Sequence, residues 1–318
     1  DVLVLGVPWE VTVSYGAGTA QGPQALLDAS PQLDFFDLDN PTGWHQGIFM
    51  MPISSDLIVQ NADLRGKAAQ VIAGQEQGIT PQQDATLSEY LAEVNQGCEL
   101  MNQWVREQSR DAIAQGKKVA VVGGDHSVPL GYLQALADVH TDFGILHIDA
   151  HADLRDAYEG FTFSHASIMY NALKLPQISK LVQVGIRDVS STEVDLANRS
   201  AGRIVMHFDS VLKQKGYGGT PWLETVQAIV TDLPQQVYIS FDVDGLDPNL
   251  CPGTGTPVPG GLALEEAYCL LREVVTSGRE IIGFDLCEVG PSEWDGNVGA
   301  RIVYKLFNLM GMARVDTR

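Results

Sequence analysis

The stretch Ile145-Leu146-His147-Ile148-Asp149-Ala150-His151-Ala152-Asp153 decides how the chain folds. An apolar run leads into Asp149, His151 and Asp153, which are spaced two residues apart. On a β-strand every second side chain shares a face, so these three polar side chains leave the strand end in one direction. Such continuously apolar runs are typical of parallel strands that are covered on both faces.

Strand-like runs of this kind alternate with segments of helical period along the chain. The predicted strands are Val2–Leu5, Lys118–Val122, Gly144–Ile148, Leu181–Gly185, Arg203–Met206, Gln236–Phe241 and Glu280–Phe284. The predicted helices lie near Pro23–Ala29, Leu87–Gln115, Leu130–Val139, Ala166–Leu173, Leu223–Thr231, Ala263–Ser277 and Asn297–Leu309. This alternation predicts an α/β fold, a three-layer αβα sandwich around a mostly parallel, doubly wound sheet. We expect a single domain over residues 1–318, with an irregular and partly helical insertion at about 36–95.

Composition limits the classes of partner. The chain of 318 residues carries 40 Asp and Glu against 20 Lys and Arg, so it would repel a phosphate backbone. An acidic field favours a small cationic substrate, although a solvated acidic surface explains most of these charges equally well. No apolar run approaches the ~20 residues of a membrane span. Four scattered cysteines indicate a reduced, cytoplasmic protein.

Two further strand ends carry side chains of the same kind. Asp242 and Asp244 follow the strand Gln236–Phe241, again spaced by two, and His126 follows Lys118–Val122 after a tight glycine turn. A single aspartate after a strand usually caps a turn. Two clusters of period two in one chain favour a bound cation, because buried carboxylates are costly without one. In parallel sheets such sites form at the carboxyl edge.

The resulting set is four aspartates and two histidines. Six ligands exceed the four that a tetrahedral zinc ion takes, and they suit two cations about 3.5–4 Å apart. An oxygen-rich set with two imidazoles favours Mn(II), with Ni(II), Co(II) and iron as alternatives. A water shared by two cations would ionise near neutral pH and act as a nucleophile.

Three motifs resemble the signature motifs of the ureohydrolases, the family of arginase, agmatinase, guanidinobutyrase, formiminoglutamase and guanidine hydrolase. They are Gly123-Gly124-Asp125-His126-Ser127, Asp149-Ala150-His151-Ala152-Asp153 and Ser240-Phe241-Asp242-Val243-Asp244-Gly245-Leu246-Asp247-Pro248. The segments Pro252-Gly253-Thr254-Gly255-Thr256-Pro257 and Tyr15-Gly16-Ala17-Gly18-Thr19-Ala20-Gln21-Gly22-Pro23 are also similar to that family. The resemblance covers nearly the whole chain except roughly Phe36 to Asn95.

The resemblance implies a role for each of these side chains. One metal ion would be held by His126, Asp149, Asp153 and Asp242, and the other by Asp149, His151, Asp242 and Asp244. Glu288 matches the glutamate that binds the guanidinium group, as a carboxylate suited to paired hydrogen bonds would. His165 matches the proton-shuttle histidine, for which a pKa near neutrality is expected, and Asp153 would relay a proton. The family also implies a homotrimer or a homohexamer.

The loop after Asp153 bears on the choice of substrate. Arg155 stands where arginases have an asparagine, and the pattern Asp-Leu-Arg…Tyr…Gly…Ser-His-Ala is more similar to agmatinases. We therefore expect hydrolysis of agmatine to urea and putrescine, with Arg155 in contact with the substrate. Trp44 and His45 in the insertion, and Trp294, could narrow the pocket. A narrow pocket would favour guanidine or another short guanidino compound, including a guanidino acid.

Three other interpretations fit less well. The glycines of Gly16–Gly22 have the wrong spacing for a dinucleotide-binding loop. A zinc deacetylase of related fold needs fewer ligands, and the motif around His126 argues against it. A catalytically silent binding protein would be expected to lack a ligand, whereas all six are present.

Overall fold

A computed structural model describes residues 1–312 of the chain. Within them eight strands form one sheet, in which every pair of neighbouring strands is parallel. The strands are β1 (Val2–Val7), β2 (Ile48–Met50), β3 (Lys118–Gly123), β4 (Phe143–Ile148), β5 (Ile178–Ile186), β6 (Ile204–Phe208), β7 (Gln236–Asp242) and β8 (Glu280–Cys287). Their spatial order is β2-β1-β3-β8-β7-β4-β5-β6.

Helices cover both faces of this sheet. They are α1 (Gly22–Ala29), α2 (Ser55–Glu76), α3 (Ala85–Ala114), α4 (Leu130–Ala137), α5 (Ile168–Ala172), α6 (Ser191–Arg199), α7 (Asp209–Tyr217), α8 (Trp222–Val230), α9 (Leu264–Thr276) and α10 (Glu293–Met310). α1 and α7–α10 pack into one apolar core, and α2–α6 pack into a second. The predicted three-layer αβα fold with a doubly wound parallel sheet is confirmed.

Strand β4 illustrates why the strands are continuously apolar. All six of its residues are buried. Leu146 and Ile148 belong to one core, whereas Phe143 and Ile145 belong to the other. Alternate side chains therefore enter opposite layers, and burial of both faces stabilises the strand.

The structure contains elements that the sequence pattern did not predict. β2 is an edge strand that pairs with β1. With three residues, β2 is too short to show a periodic pattern in the sequence. α6 was missed although its start carries a capping box, in which the Glu193 side chain accepts from the Ser190 backbone N–H. α7 holds few apolar residues, so its helical period is weak. The predicted helix Ala166–Leu173 is a 3₁₀ turn at His165–Ser167 followed by α5.

The predicted insertion at about 36–95 contains β2, α2 and the first part of α3. The two helices pack closely, since a side chain at Gly97 on α3 would collide with Leu64 on α2. Near its beginning, Lys305 on α10 lies 2.8 Å from Asp37 and 2.5 Å from Asp39. The contacts of Lys305 therefore anchor the beginning of the insertion on α10.

Two smaller findings concern the chain as a whole. No helix within residues 1–312 combines the length and apolarity needed to cross a membrane. All four cysteines are free thiols. A cytoplasmic location stays a prediction.

Candidate metal centre and substrate cavity

Three strand ends bring the six predicted ligands to one edge of the sheet. His126 follows β3, while Asp149, His151 and Asp153 follow β4. Asp242 ends β7, and Asp244 lies in the 3₁₀ turn directly after it. In the sheet, β3, β8, β7 and β4 are adjacent, so short loops deliver all six side chains to one place.

His126 lies at the centre of the first group of ligand atoms. Its Nδ1 atom is 3.0 Å from Asp149 Oδ2 and 3.2 Å from Asp153 Oδ2. Asp242 Oδ2 lies 3.4 Å from the same nitrogen. The other ring nitrogen, Nε2, is 2.8 Å from Ser240 Oγ, which fixes the orientation of the ring.

A second group forms around His151 and Asp244. His151 Nδ1 lies 3.0 Å from Asp244 Oδ2 and 3.5 Å from Asp149 Oδ1. The Ala150 N–H donates to Asp244 Oδ1 at 3.0 Å and holds that carboxylate in place. Asp149 therefore stands between the two groups, with Oδ2 toward His126 and Oδ1 toward His151.

These spacings fit the coordination of cations. Ligands about 2.1 Å from an octahedral ion lie about 3.0 Å from their nearest neighbours, which is the separation found here. Burial, with the adjacent Asp244 and Asp149 carboxylates, raises the pKa of Asp242 well above its usual value. The carboxylates repel one another strongly unless positive charge is placed among them. Oxygen and imidazole donors suit Mn(II) and similar divalent ions.

Glu288 follows β8 and lies beside the first group. Its Oε1 atom accepts a hydrogen bond of 2.9 Å from the His126 N–H, and the side chain is buried. A side chain at Gly255 would come within 3.1 Å of Glu288 Oε2, so glycine keeps the space around this oxygen open. Burial and the nearby Asp125 raise the pKa of Glu288 well above its usual value. A cationic group beside it would favour the ionised form.

Backbone strain is concentrated in this region. Among the described residues, four that are not glycine have positive φ angles: Asp153, Glu159, Ala201 and Glu288. Asp153, Glu159 and Glu288 all line one cavity of about 360 Å³ beside the ligand groups. Such left-handed conformations are costly for these residues and are commonly retained where side chains must be aimed at a ligand.

His165 and Arg155 also line the cavity. His165 Nδ1 lies 3.3 Å from Ser164 Oγ and 3.5 Å from Thr12 Oγ1. Burial, with His151 nearby, lowers the pKa of His165 to about 3, whereas a pKa near neutrality was expected. Its imidazole is therefore neutral at pH 7 and a weak base unless nearby negative charge favours its protonated form.

The Arg155 side chain interacts with other residues that line the cavity. Its guanidinium carbon lies 4.6 Å from the centroid of the Tyr158 ring. Its Nε atom lies 3.9 Å from Glu193 Oε2. The cation is therefore attracted both by the face of an aromatic ring and by a buried carboxylate.

The outer wall of the cavity is acidic and includes part of the insertion. Glu76, at the end of α2, faces Glu159 in the loop after β4. Glu159 Oε2 is buried without a hydrogen-bond partner among the described residues. Burial and the charge of Glu76 raise the pKa of Glu159, and the nearby cations Arg155 and Arg65 offset part of that rise. Gln75 Nε2 donates to the Glu159 carbonyl oxygen at 2.9 Å and ties the loop to α2.

The structure does not support the alternative in which tryptophans narrow the pocket. Trp44 instead lines a separate apolar cavity with Phe35 and Tyr304. Trp294 is 54% exposed, and its Nε1 atom donates to the Asn249 carbonyl oxygen. Neither side chain is among the described residues that line the cavity beside the ligands. The insertion contributes the carboxylate of Glu76 to the lining of the cavity.

Sequence analysis overlooked His147, Glu76 and Glu159. His147 Nε2 lies 2.8 Å from Asp149 Oδ2, and the residue is completely buried. Its position two residues before Asp149, on the same strand face, was a usable signal. Glu76 gave no such signal because only the tertiary structure brings α2 beside the loop that holds Glu159.

Comparison with known proteins agrees with this geometry. The model of the arginase family matches residues 1–308. The chain belongs to the arginase family. It is 32% identical to the N(1)-aminopropylagmatine ureohydrolase of Thermus thermophilus over 313 residues, which cover 98% of this chain and 90% of that protein. It is 30% identical to the agmatinase of Chromobacterium violaceum over 302 residues, covering 92% and 77% of the two chains.

A solved structure has the same fold. The agmatine ureohydrolase of Thermoplasma volcanium matches with a TM-score of 0.71 at 22% identity, covering 97% of this chain and 89% of that chain. The predicted family and the predicted class of enzyme, a metal-dependent ureohydrolase, are confirmed. Arginase-family enzymes use two divalent metal ions, and the His and Asp cluster is of the kind that they require.

Proposed function

We propose that this arginase-family enzyme hydrolyses the guanidino group of an aminoalkylguanidine, with agmatine as the first candidate, to urea and an amine. One observation carries the proposal. The Glu288 carboxylate lies beside the two ligand groups at the inner end of a cavity whose outer wall is also acidic. Such a cavity suits a substrate with positive charge at both ends.

We assign one metal ion to His126, Asp149, Asp153 and Asp242, and the other to Asp149, His151, Asp242 and Asp244. Mn(II) is the proposed ion because four of the six ligands are carboxylates, and Ni(II) and Co(II) are the alternatives. When bound, a pair of divalent cations supplies Lewis acidity and makes water more acidic. Assembly as a homotrimer or a homohexamer stays a prediction.

The side chains of the cavity would hold the guanidinium group and move its protons. Glu288 is anchored by the His126 N–H at Oε1 and directs its other oxygen toward the space that Gly255 leaves open. It would accept hydrogen bonds from the planar guanidinium. Asp153 would relay a proton, and the neutral His165 would take up a proton and deliver it to the departing amine.

The outer wall supports a substrate with a distal ammonium group. Glu76 and Glu159 face each other, and the buried Oε2 of Glu159 has no hydrogen-bond partner among the described residues. An ammonium group placed there would relieve the repulsion between the two carboxylates. A guanidino acid would instead bring a third negative charge there, which Arg155 and Arg65 would offset only in part. Arg155, over the Tyr158 ring, would contact the substrate chain between the two ends.

A second candidate substrate is N(1)-aminopropylagmatine, which carries one more amine beyond the agmatine chain. A relative of that name, 32% identical over 98% of this chain, favours it. Guanidine itself would leave the acidic outer wall without a partner. The cavity of about 360 Å³ has room for more than a guanidine molecule.

A urea assay across matched substrates tests the proposal. Manganese-loaded protein is given agmatine, N(1)-aminopropylagmatine, butylguanidine, 4-guanidinobutyrate, arginine and guanidine. We expect agmatine or its aminopropyl derivative to exceed butylguanidine in kcat/KM by roughly 10-fold, as an ion pair in a partly buried site allows. A preference for guanidine or guanidinobutyrate would contradict the assigned substrate. Two bound ions without urea from any compound would make the protein a catalytically silent binding protein.

A further inference from the structure

His147 and Gln183 are polar side chains buried side by side inside the sheet. They are register partners on β4 and β5, and neither exposes any surface. On the same strand faces, two residues before each of them, Ile145 and Leu181 belong to an apolar core. A polar pair in such surroundings lowers stability unless its hydrogen bonds are made.

The amide of Gln183 determines which nitrogen of His147 carries a proton. Gln183 Nε2 lies 2.7 Å from the Ala152 carbonyl oxygen and 2.9 Å from His147 Nδ1. A carbonyl oxygen only accepts hydrogen bonds, so the atom facing it must be the amide nitrogen. The second hydrogen of that nitrogen then points at His147 Nδ1, which must be the acceptor.

An imidazole that accepts at Nδ1 carries its single proton on Nε2. His147 Nε2 lies 2.8 Å from Asp149 Oδ2, so it donates to that oxygen. The same oxygen faces His126 Nδ1 at 3.0 Å, whereas Asp149 Oδ1 faces His151. His147 therefore contacts only one of the two oxygens with which Asp149 faces the two ligand groups.

We propose that His147, held in one tautomer by Gln183, is a positioning residue that sets the affinity of the His126 group for its cation. Its N–H fixes the rotation of the Asp149 carboxylate and leaves further lone pairs of Oδ2 for the ion. The inference rests on the pair of cations in the proposed function. Loss of a residue that hydrogen-bonds to a metal ligand typically lowers metal affinity by about 10- to 100-fold.

Binding of Mn(II) to the full chain, followed by the electron paramagnetic resonance of the free ion, tests this role. We expect His147→Phe to weaken one of two binding steps by about 10- to 100-fold and to leave the other nearly unchanged. His147→Gln retains an N–H near the position of Nε2 and should keep most of the affinity. His140→Phe is the matched control, because His140 also pairs with a glutamine, Gln236, but outside the metal centre.

Double variants identify the affected ion. His147→Phe should have no further effect in a His126→Asn background, and it should weaken the remaining ion in a His151→Asn background. Equal weakening of both ions would indicate general damage and overturn the inference. The inference would also be overturned if every variant bound two ions with the affinity of the wild type. A wild-type chain that binds no ion would overturn the proposed function as well.

The tautomer of His147 can be measured directly, and a general loss of packing would not produce the change expected here. In ¹⁵N NMR spectra of zinc-loaded protein, His147 should have an unprotonated Nδ1 and a protonated Nε2. Gln183→Met, which removes the donor while nearly conserving volume, should shift this balance in a folded protein. A protonated Nδ1 on His147 in the wild type would overturn the inference.

Discussion

The inner rim and the outer wall of the cavity are built in different ways. At the inner rim, the proposed ligands leave the ends of β3, β4 and β7, which the sheet holds in register. At the outer wall, Glu76 comes from the end of α2 and Glu159 from a loop, and Gln75 joins the two by one hydrogen bond. The rim is therefore fixed by the core of the fold, whereas the wall depends on the insertion. We expect substitutions at the rim to affect the reaction and those at the wall to affect the choice of substrate.

The largest effect is expected for Asp149→Asn, because Asp149 faces both ligand groups. Urea release should fall by about 10³-fold, as for loss of a group that stabilises developing charge. Binding of both ions should weaken in the same protein. Asp247→Asn is the matched control, since Asp247 belongs to the third motif but caps a turn at Asn249. Normal activity in Asp149→Asn would refute the assignment of the rim.

Glu288→Gln should have the next largest effect. The neutral amide keeps the shape but loses charge-assisted hydrogen bonds to the guanidinium, so kcat/KM should fall by about 10- to 100-fold. Metal content should stay at the wild-type value, because Glu288 is not among the proposed ligands. Loss of metal together with activity would mean that Glu288 acts at the rim as a ligand.

At the outer wall, Glu159→Gln and Glu76→Gln should each lower kcat/KM for agmatine by roughly 3- to 10-fold, mainly through KM. Butylguanidine, which lacks the distal ammonium group, should be hydrolysed as by the wild type. Glu224→Gln, at an exposed position on α8, controls for the change in net charge. Equal losses with both substrates would show that the wall does not recognise the ammonium group.

The smallest effect concerns how the beginning of the insertion is anchored. Burial acts to raise the pKa of Asp39, but hydrogen bonds from Arg272 and Lys305 outweigh it and hold the pKa below its usual value. Because the pKa is lower in the folded state, the stabilisation is complete above about pH 4 and is lost as the pH falls further.

Thermal unfolding measured as a function of pH tests this anchor. The difference in Tm between the wild type and Asp39→Asn should be largest near pH 6 and shrink as the pH falls below about 4 and approaches the lowered pKa of folded Asp39. Asp34→Asn, at an exposed position in the same segment, should leave Tm nearly unchanged. A Tm difference that grows as the pH falls would contradict the sign of the shift.

The same contrast explains what the sequence could predict. Polar residues spaced two apart after an apolar strand can be located from the sequence. The strand period places them on one face, and the carboxyl edge of a parallel sheet brings such strand ends together. Asp149, His151 and Asp244 were predicted on that basis. His147 obeys the same period but was read as part of the apolar run. The helix α6 could also have been predicted from the sequence, since Ser190 and Glu193 form a capping box at its start.

The outer wall could not be predicted because its residues meet only through tertiary packing. Glu159 and Glu76 are more than 80 residues apart in the chain, and their approach depends on how α2 packs against α3 and against the loop. Trp44, in the insertion, and Trp294, six residues after Glu288, were considered as residues that could narrow the pocket, and they lie elsewhere. Side chains on long insertions have no strand period to direct them, so their partners are found only in the folded structure.

Counting metal ions in active protein tests the central claim most directly. Protein stripped by a chelator is reloaded with increasing Mn(II), and bound ions per chain are measured together with urea release from agmatine. We predict that activity appears only as the second ion binds and is lost when the ions are removed. Full urea release from metal-free protein would contradict the account.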